Sequence, residues 1–217
     1  MKKWSSACVL ISLVALNVPF VASAESAFDE EVRLLADALQ VGAGSVIADI
    51  GAGEGNFAIA LAASVGETGR VYASEMEVEK REEIAEAVAD AEASRVEVVV
   101  AEFDATGIAE GSCDAIYLRT VYHHIMHPEV FGKSLFETLK PGGRLVIVDF
   151  PPTRWLNWFT DQYILDMRGG HGVEMVDVEK ELAASGFVKV GTRITWPDSN
   201  FIARKYALIF ERPAVGE

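Results

Sequence analysis

The stretch VIADIGAGEGNFAIALA, residues 46–62, decides the fold of this chain. Its first five residues are mostly apolar and predict a buried β-strand, and the apolar run from Phe57 predicts a helix directly after it. Between them, Gly51, Gly53 and Gly55 lack side chains where the backbone must turn sharply and let a ligand approach closely. A strand, a glycine-rich turn and a helix in this order predict a nucleotide-binding edge of an α/β sheet.

The spacing of these glycines and the acids around them argue against a diphosphate ligand. Dinucleotide-binding loops typically read G-x-G-x-x-G and place the diphosphate on the N-terminus of the helix. Here the pattern is G-x-G-x-G, and Asp49 and Glu54 would repel a diphosphate. The loop therefore predicts a cofactor with positive charge. Glu75 closes the second predicted strand and can accept both hydroxyls of a ribose, so we expect an adenosine group.

Apolar runs bounded by turn residues alternate with helix-like stretches along the chain. This alternation predicts a parallel sheet with helices on both faces. The predicted strands are residues 45–50, 71–75, 96–100, 114–118 and 144–150, and the predicted helices are residues 26–40, 57–65, 78–91 and 128–139. Residues 186–196 and 200–212 predict two further strands. The PDSN turn between them is too short for a parallel crossover, so we expect an antiparallel pair.

Residues 1–24 have the three parts of a secretory signal peptide. Two lysines form the charged start, an apolar run covers about residues 7–16, and Ala-Ser-Ala at residues 22–24 is a small-x-small cleavage site. We therefore expect an exported, periplasmic or secreted protein whose mature part is one domain over residues 25–217. The alternative is an uncleaved anchor helix, but the apolar run is short for a span of about 20 residues and is broken by Pro19.

The acidic charge of the chain restricts its partners. The sequence has 33 acidic residues against 19 lysines and arginines, a net charge of −14. Such a surface repels nucleic-acid backbones and anionic headgroups, so we expect a small-molecule partner, no nucleic acid, and no stable membrane insertion after signal removal. No pattern indicates an oligomeric state. Cys113 is the one cysteine after residue 24, so the mature chain has no internal disulfide.

Three motifs taken together resemble the class I S-adenosylmethionine-dependent methyltransferases. They are DIGAGEG at residues 49–55, the acid at the end of the second strand, and LKPGGRLVIVDF at residues 139–150. The resemblance covers about residues 30–212. It implies a doubly wound, Rossmann-like sheet of seven strands in the order 3-2-1-4-5-7-6 with the last strand antiparallel. It also implies S-adenosylmethionine as cofactor and methyl transfer to a small molecule.

The resemblance assigns the methionine and ribose contacts to individual residues. Asp49 and the backbone of Gly51 and Gly53 would bind the methionine end of the cofactor. The ammonium and sulfonium groups of that end explain why acids are tolerated in this loop. Gly55 would also contact the cofactor, and Glu75 would bind the ribose.

The resemblance places the adenine in the stretch AEFDAT, after the third strand. Glu102 would accept the exocyclic amine, and Phe103 would be its backbone and stacking neighbour. Asp104 is the competing candidate for the acceptor, because the family more often has Asp where Glu102 stands. Arg119 and Thr120, just past the fourth strand, would line the sulfonium and open towards the methyl acceptor.

The methyl acceptor is expected at the carboxyl ends of the strands, where the ligand crevice of an open α/β sheet lies. The stretch RTVYHHIMHP, residues 119–128, faces that crevice. Tyr122 and His123 are catalytic candidates, since a histidine can remove a proton near neutral pH. The alternative is structural packing, because HHI…P resembles an element of the methyltransferases related to ubiquinone biosynthesis. We expect no metal at these histidines, and we expect His127 at a helix start on the surface.

His171 is the third catalytic candidate. It lies in MRGGHGV, residues 167–173, whose glycines allow a close backbone approach to a ligand but equally can mark a helix C-cap and a turn. The preceding aromatic residues, in residues 151–167, have helical spacing. They predict an amphipathic helix that faces the core, or alternatively an apolar lid that would favour an apolar or aromatic acceptor.

An exported domain is separated from the compartment in which S-adenosylmethionine is made. The alternative function is therefore a noncatalytic exported protein that binds an adenosine-like or other metabolite ligand in the same crevice. A nicotinamide-dependent dehydrogenase is disfavoured, because the G-x-G-x-G spacing differs from the dinucleotide pattern.

Overall fold

The structure is a computed structural model, and it describes residues 19–152, 172–197 and 204–214, with side chains from residue 27 onwards. Most of the expected signal peptide lies outside the described residues. The same is true of the catalytic candidate His171 and of the aromatic segment before it, residues 153–170.

Seven strands form one mixed sheet. They are β1 (Val46–Ile50), β2 (Arg70–Glu75), β3 (Val96–Val100), β4 (Cys113–Arg119), β5 (Leu139–Asp149), β6 (Val188–Arg193) and β7 (Tyr206–Glu211). Their order is β3-β2-β1-β4-β5-β7-β6. The first five strands are parallel, whereas β7 is antiparallel to both β5 and β6. The predicted order and the antiparallel last strand are confirmed.

Five α-helices are described, together with a short 3-10 helix at Tyr122–His124. They are α1 (Pro19–Leu39), α2 (Asn56–Val65), α3 (Val78–Asp90), α4 (Pro128–Thr138) and α5 (Met175–Ala184). The predictions for α2, α3 and α4 are confirmed to within one residue. Helix α1 begins before its predicted start at residue 26 and runs without a break past the expected cleavage site. Helix α5 was not predicted, although the i, i+4 pair of Val178 and Leu182 is buried on it.

Two hydrophobic cores cover the two faces of the sheet. Helices α1, α2 and α3 pack on one face, and α4 and α5 pack on the other. The neighbouring residues Ile47 and Ala48 of β1 belong to opposite cores, as the two-residue period of a strand requires. The predicted doubly wound α/β fold is therefore confirmed.

The chain leaves adjacent strands towards opposite faces at the centre of the sheet. Strand β1 continues into α2 on one face, while its neighbour β4 continues into the 3-10 helix and α4 on the other. This divergence leaves a crevice beyond the carboxyl ends of the two strands, which is the usual ligand site of such sheets.

Candidate functional site

A cavity of about 880 Å³ opens at the carboxyl ends of β1, β2 and β4. Its walls are the glycine loop after β1, the ends of β2 and β4, the loop after β3, the 3-10 helix region and one residue of α1. Its volume is within the usual range for pockets that hold small molecules and cofactors. Most of the predicted cofactor residues belong to this one cavity.

The glycine loop presents bare backbone to the cavity. Gly53 has φ +59°, and a Cβ atom there would meet nothing within 4 Å, so its backbone faces open space. Gly51 has φ +72°, and a Cβ atom there would lie 2.6 Å from Cγ2 of Val121. Gly55 does not line the cavity. Gly55 precedes α2 and lies against Ile84 of α3. Its contact with a cofactor therefore stays a prediction.

Glu75 is held in a fixed orientation at the end of β2. Its Oε2 accepts the backbone N–H of Gly53 at 3.2 Å, and its Oε1 accepts those of Met76 and Glu77 at 2.8 and 3.3 Å. The side chain is buried but lines the cavity. A carboxylate has about four lone-pair sites, and three backbone N–H groups use three of them, so Glu75 keeps acceptor capacity for about one hydroxyl of a ligand.

Asp49 is a buried carboxyl in the cavity wall. Burial raises the pKa of Asp49 from 3.8 to about 7; the nearby Tyr117 hydroxyl and the Arg119 guanidinium lower it, and the charge of Glu75 raises it further. The neutral and ionised forms of Asp49 are therefore close in free energy near neutral pH. A cation bound beside it would favour the ionised form.

Tyr117 also lines the cavity and was not selected from the sequence. It lies on β4 directly opposite Asp49 on β1. Its hydroxyl is close enough to influence the pKa of Asp49. It nevertheless makes no hydrogen bond of normal geometry with that carboxyl or with any other described residue. The two groups are close enough to interact, but their contact lies outside the geometry of a normal hydrogen bond. The strand register that brings them together could not be read from the sequence.

Arg119 lines the cavity, but its guanidinium is bound by a buried carboxylate. Glu31 of α1 accepts from Nε at 2.8 Å and from Nη2 at 3.0 Å. The same carboxylate accepts the indole N–H of Trp196 at 2.7 Å, and the guanidinium lies over the ring of Phe57. The sequence predicts a helix over residues 26–40, but it gives no signal for the contact between Glu31 and Arg119.

In the loop after β3, the two candidates for the adenine contact, Glu102 and Asp104, differ in their position relative to the cavity. Glu102 and Phe103 line the cavity, whereas Asp104 does not. The Asp104 carboxylate instead binds Nδ1 of His127 at 2.9 and 3.1 Å. His127 is exposed at the start of α4, as predicted. The geometry therefore favours Glu102 over Asp104 as the candidate cofactor contact.

The side chains of Tyr122 and His123 do not line the cavity. Tyr122 is buried and donates its hydroxyl to Glu181 at 3.0 Å. His123 is buried and pairs through Nδ1 with both carboxylate oxygens of Asp149, at 2.9 and 3.1 Å. These contacts match the packing alternative, and the catalytic role of both residues stays a prediction. The 3-10 turn instead brings His124 to the cavity.

The described part of the chain contains no group of three or more His, Cys, Asp or Glu side chains arranged to hold a metal ion. Among its helices, none combines the length and the apolar character needed to cross a membrane. The candidate His171 lies outside the described residues, so its predicted role stays a prediction.

Comparisons with known proteins identify relatives of this domain. The sequence model of a protein family described as "Methyltransferase domain" matches residues 48–147. A curated relative, the ubiquinone/menaquinone biosynthesis C-methyltransferase of Geotalea daltonii, is 30% identical over 114 residues, which are 51% of this chain and 47% of the relative. This chain thus aligns with about half the length of the curated relatives it matches.

Solved structures share the whole fold at low identity. A SAM dependent methyltransferase from Aquifex aeolicus superposes with a TM-score of 0.69 at 18% identity, covering 87% of this chain and 97% of that one. A possible exported protein from Bordetella parapertussis superposes with a TM-score of 0.64 at 16% identity, covering 92% of this chain and 71% of that one. The fold is therefore the Rossmann-like methyltransferase fold.

Proposed function

We propose that this protein is an S-adenosylmethionine-dependent methyltransferase that acts on a small molecule. The observation that carries the proposal is the arrangement of two buried carboxyls, Asp49 and Glu75, around the open backbone of Gly53. A loop of this kind offers a hydroxyl-binding acid and a cation-binding acid on either side of a close backbone approach. The methyltransferase-domain match over the same residues favours a catalytic protein over the noncatalytic alternative.

The charge of the cavity suits a cationic cofactor. Five acidic side chains of the described chain line it, Asp49, Glu54, Glu75, Glu77 and Glu102, against the basic Lys80 and Arg119. Lys80 pairs with Glu77 at 2.8 Å, and Arg119 pairs with Glu31. The remaining acids attract an ammonium and a sulfonium and repel a diphosphate. In this assignment Glu75 binds a ribose hydroxyl, Glu102 and Phe103 bind the adenine, and Asp49 binds the methionine ammonium.

The cofactor supplies an activated methyl group on a positively charged sulfur. The protein has to align the acceptor with that methyl and keep water out. Bare backbone at Gly53 permits a close approach, and the Glu75 carboxylate, fixed by three backbone N–H groups, sets the orientation of the ribose. The guanidinium of Arg119 forms part of the cavity wall, and its positive charge is compensated by the Glu31 carboxylate. It therefore adds no net positive charge that would repel a cation.

We place the acceptor against the apolar part of the cavity. Phe28, Phe57, Val121 and Ile125 line this part, and His124 is the neighbouring residue that can exchange a proton. An apolar wall beside carboxylates disfavours anionic acceptors, because an anion would lose its hydration and meet like charges. The acceptor class that fits is an uncharged or cationic molecule with an apolar surface.

We also propose that the protein is exported and that residues 1–24 are removed. The support is the three-part pattern of those residues and the shared fold with a possible exported protein. Cleavage after Ala24 would leave Phe28 and Glu31, two α1 residues at the site, in the mature chain. Mass spectrometry of the intact protein from its native host tests this. A chain that retains residues 1–24 would contradict it.

Titration calorimetry of the purified protein with S-adenosylmethionine, S-adenosylhomocysteine and NAD tests the cofactor proposal. Binding of the first two and none of NAD is expected. The absence of heat with both adenosyl ligands at about millimolar concentration, the upper end of common cofactor affinities, would reject it. Co-purification of a different metabolite that S-adenosylmethionine does not displace would favour the noncatalytic alternative.

A further inference from the structure

Tyr117 lines the cavity and carries a buried hydroxyl without a hydrogen-bond partner of normal geometry among the described residues. The residue is fully buried in β4, between the equally buried Ile116 and Leu118. Among the described residues, its hydroxyl oxygen has no hydrogen-bond partner. Buried hydroxyls are nearly always paired, because leaving one unpaired after removing it from water destabilises the fold. A phenylalanine would fill the same volume without this cost, so the hydroxyl points to a ligand.

The hydroxyl is suited to binding a charged group. Burial, followed by the charge of Asp49, raises the pKa of Tyr117 well above its ordinary value. The group is therefore a neutral hydroxyl at any physiological pH and can both donate and accept a hydrogen bond. Because the surroundings are buried, a hydrogen bond to a charged ligand group would be stronger here than at the surface.

The position of Tyr117 relative to the carboxylates indicates which end of the proposed cofactor it would contact. Glu75 and Glu102 follow β2 and β3, on one side of β1, and they are the proposed nucleoside contacts. Tyr117 lies on β4, on the other side of β1, directly opposite Asp49. An elongated ligand lying across the end of β1 would thus have its two ends on opposite sides of this strand. Tyr117 belongs with Asp49, at the end away from the nucleoside contacts.

We propose that Tyr117 is a specificity-determining residue that hydrogen-bonds to the charged α-amino-acid group of the cofactor while the Asp49 carboxylate pairs with its ammonium. This assignment rests on the proposed cofactor and adds a residue and a selectivity to it. A ligand with the same nucleoside but no amino-acid group would gain nothing from the Tyr117 hydroxyl.

Calorimetry on Tyr117→Phe tests the assignment with two ligands. S-adenosylmethionine carries the amino-acid group, and 5′-methylthioadenosine has the nucleoside without it. The variant should bind S-adenosylmethionine about tenfold or more weakly, as the loss of a hydrogen bond to a charged group predicts. Its affinity for 5′-methylthioadenosine should change by less than about twofold, because no bond to the hydroxyl is lost.

Tyr206→Phe is the matched control. Tyr206 is also buried, but its hydroxyl donates to the backbone oxygen of Val173 at 2.7 Å and is not part of the cavity. This control should lower the melting temperature without changing either affinity. Tyr117→Phe should raise the melting temperature of the ligand-free protein, since it removes an unpaired buried hydroxyl. The two substitutions are chemically identical, so opposite shifts cannot come from the residue type.

The outcomes separate this assignment from the proposed function. If the wild-type protein binds S-adenosylmethionine and Tyr117→Phe binds both ligands as the wild type does, the assignment is wrong and the cofactor proposal stands. Equal weakening of both ligands, or a variant that does not fold, indicates a structural role and also overturns the assignment. If the wild type binds neither ligand, the proposed function fails and the assignment fails with it.

Discussion

Glu31 and Arg119, 88 positions apart in the chain, form a two-point ion pair that joins α1 to the end of β4. Glu31 is 1% exposed, and its carboxylate also accepts the indole N–H of Trp196. The pair fixes α1 against the cavity, where Phe28 packs on Phe57 with ring centroids 4.9 Å apart. It also compensates the positive charge of Arg119 beside a site suited to a cation. The N-terminal helix is thus part of the site.

Replacement of Glu31 by Ala should destabilise the protein by about 3–5 kcal/mol, the cost of removing one partner of a buried ion pair. It should also weaken S-adenosylmethionine binding, since the Arg119 charge would then repel the ligand. Urea denaturation and calorimetry measure the two effects. The control is Asp37→Ala in the same helix, which removes the exposed pair with Arg33 and should cost less than about 1 kcal/mol. Equal losses for both variants would contradict the prediction.

Replacement of Asp49 by Asn should stabilise the ligand-free protein at pH 8 but not at pH 4. The pKa of Asp49 is about 7 in the folded protein against an ordinary 3.8. The folded state therefore holds this proton more tightly than the unfolded state, and stability falls as the pH rises from about 4 to 7. A difference of this size corresponds to at most about 4 kcal/mol. Melting temperatures of the wild type and the variant across this pH range measure the gain in stability. A gain that is the same at every pH would show that the raised pKa of Asp49 is not its cause.

Binding of S-adenosylmethionine should release a proton near pH 7. The positive ligand lowers the pKa of Asp49, so the affinity should rise as the pH increases from about 6 to 7, a range in which the α-ammonium of the ligand is still largely protonated. Calorimetry in buffers of different ionisation enthalpy counts the released protons. The neutral 5′-methylthioadenosine should release none, and Asp49→Asn should abolish the release that accompanies S-adenosylmethionine binding. Proton uptake by the wild-type protein would reverse the expected sign and disprove the prediction.

The glycine loop and the doubly wound sheet could be predicted because their signals are local, whereas the strand order was implied only by the family resemblance. Glycines at alternate positions after an apolar strand specify a turn with positive φ, and alternating strand-like and helix-like segments specify the doubly wound sheet. Glu31 and Tyr117 could not be found in this way, because each acquires its partner only through tertiary packing. Glu31 reaches Arg119 across the fold, and Tyr117 meets Asp49 through strand register.

The histidines after β4 show that prediction from the sequence can also fail between residues that are adjacent in the chain. His123 and His124 are adjacent in sequence, and of the two His123 was the catalytic candidate, with structural packing as the alternative. The 3-10 turn directs His123 towards Asp149 and His124 towards the cavity. A one-residue difference in such a turn reverses which side chain faces the ligand. The sequence alone does not specify the conformation of the turn, so it identified the segment but not the residue.

Replacement of Gly53 by Ala should weaken cofactor binding beyond its effect on stability, and Gly111 provides a closely matched control. The two glycines have φ of +59° and +60°, and an added Cβ would meet nothing within 4 Å at either position. Alanine should therefore cost both sites a similar amount of backbone strain, about 1 kcal/mol. Only Gly53 lines the cavity. Its new methyl group would occupy space that the ligand needs for close contact with the backbone.

Melting temperatures of Gly53→Ala and Gly111→Ala should thus fall by similar amounts, about 2–4 °C for a domain of this size. The affinity for S-adenosylmethionine should fall about tenfold or more in Gly53→Ala alone, because an added buried methyl that clashes with a ligand costs about 1–3 kcal/mol. Equal affinities in the two variants would mean that no ligand approaches the backbone at Gly53. In that case the glycine is required only for the turn, and the cofactor has to be sought elsewhere in the cavity.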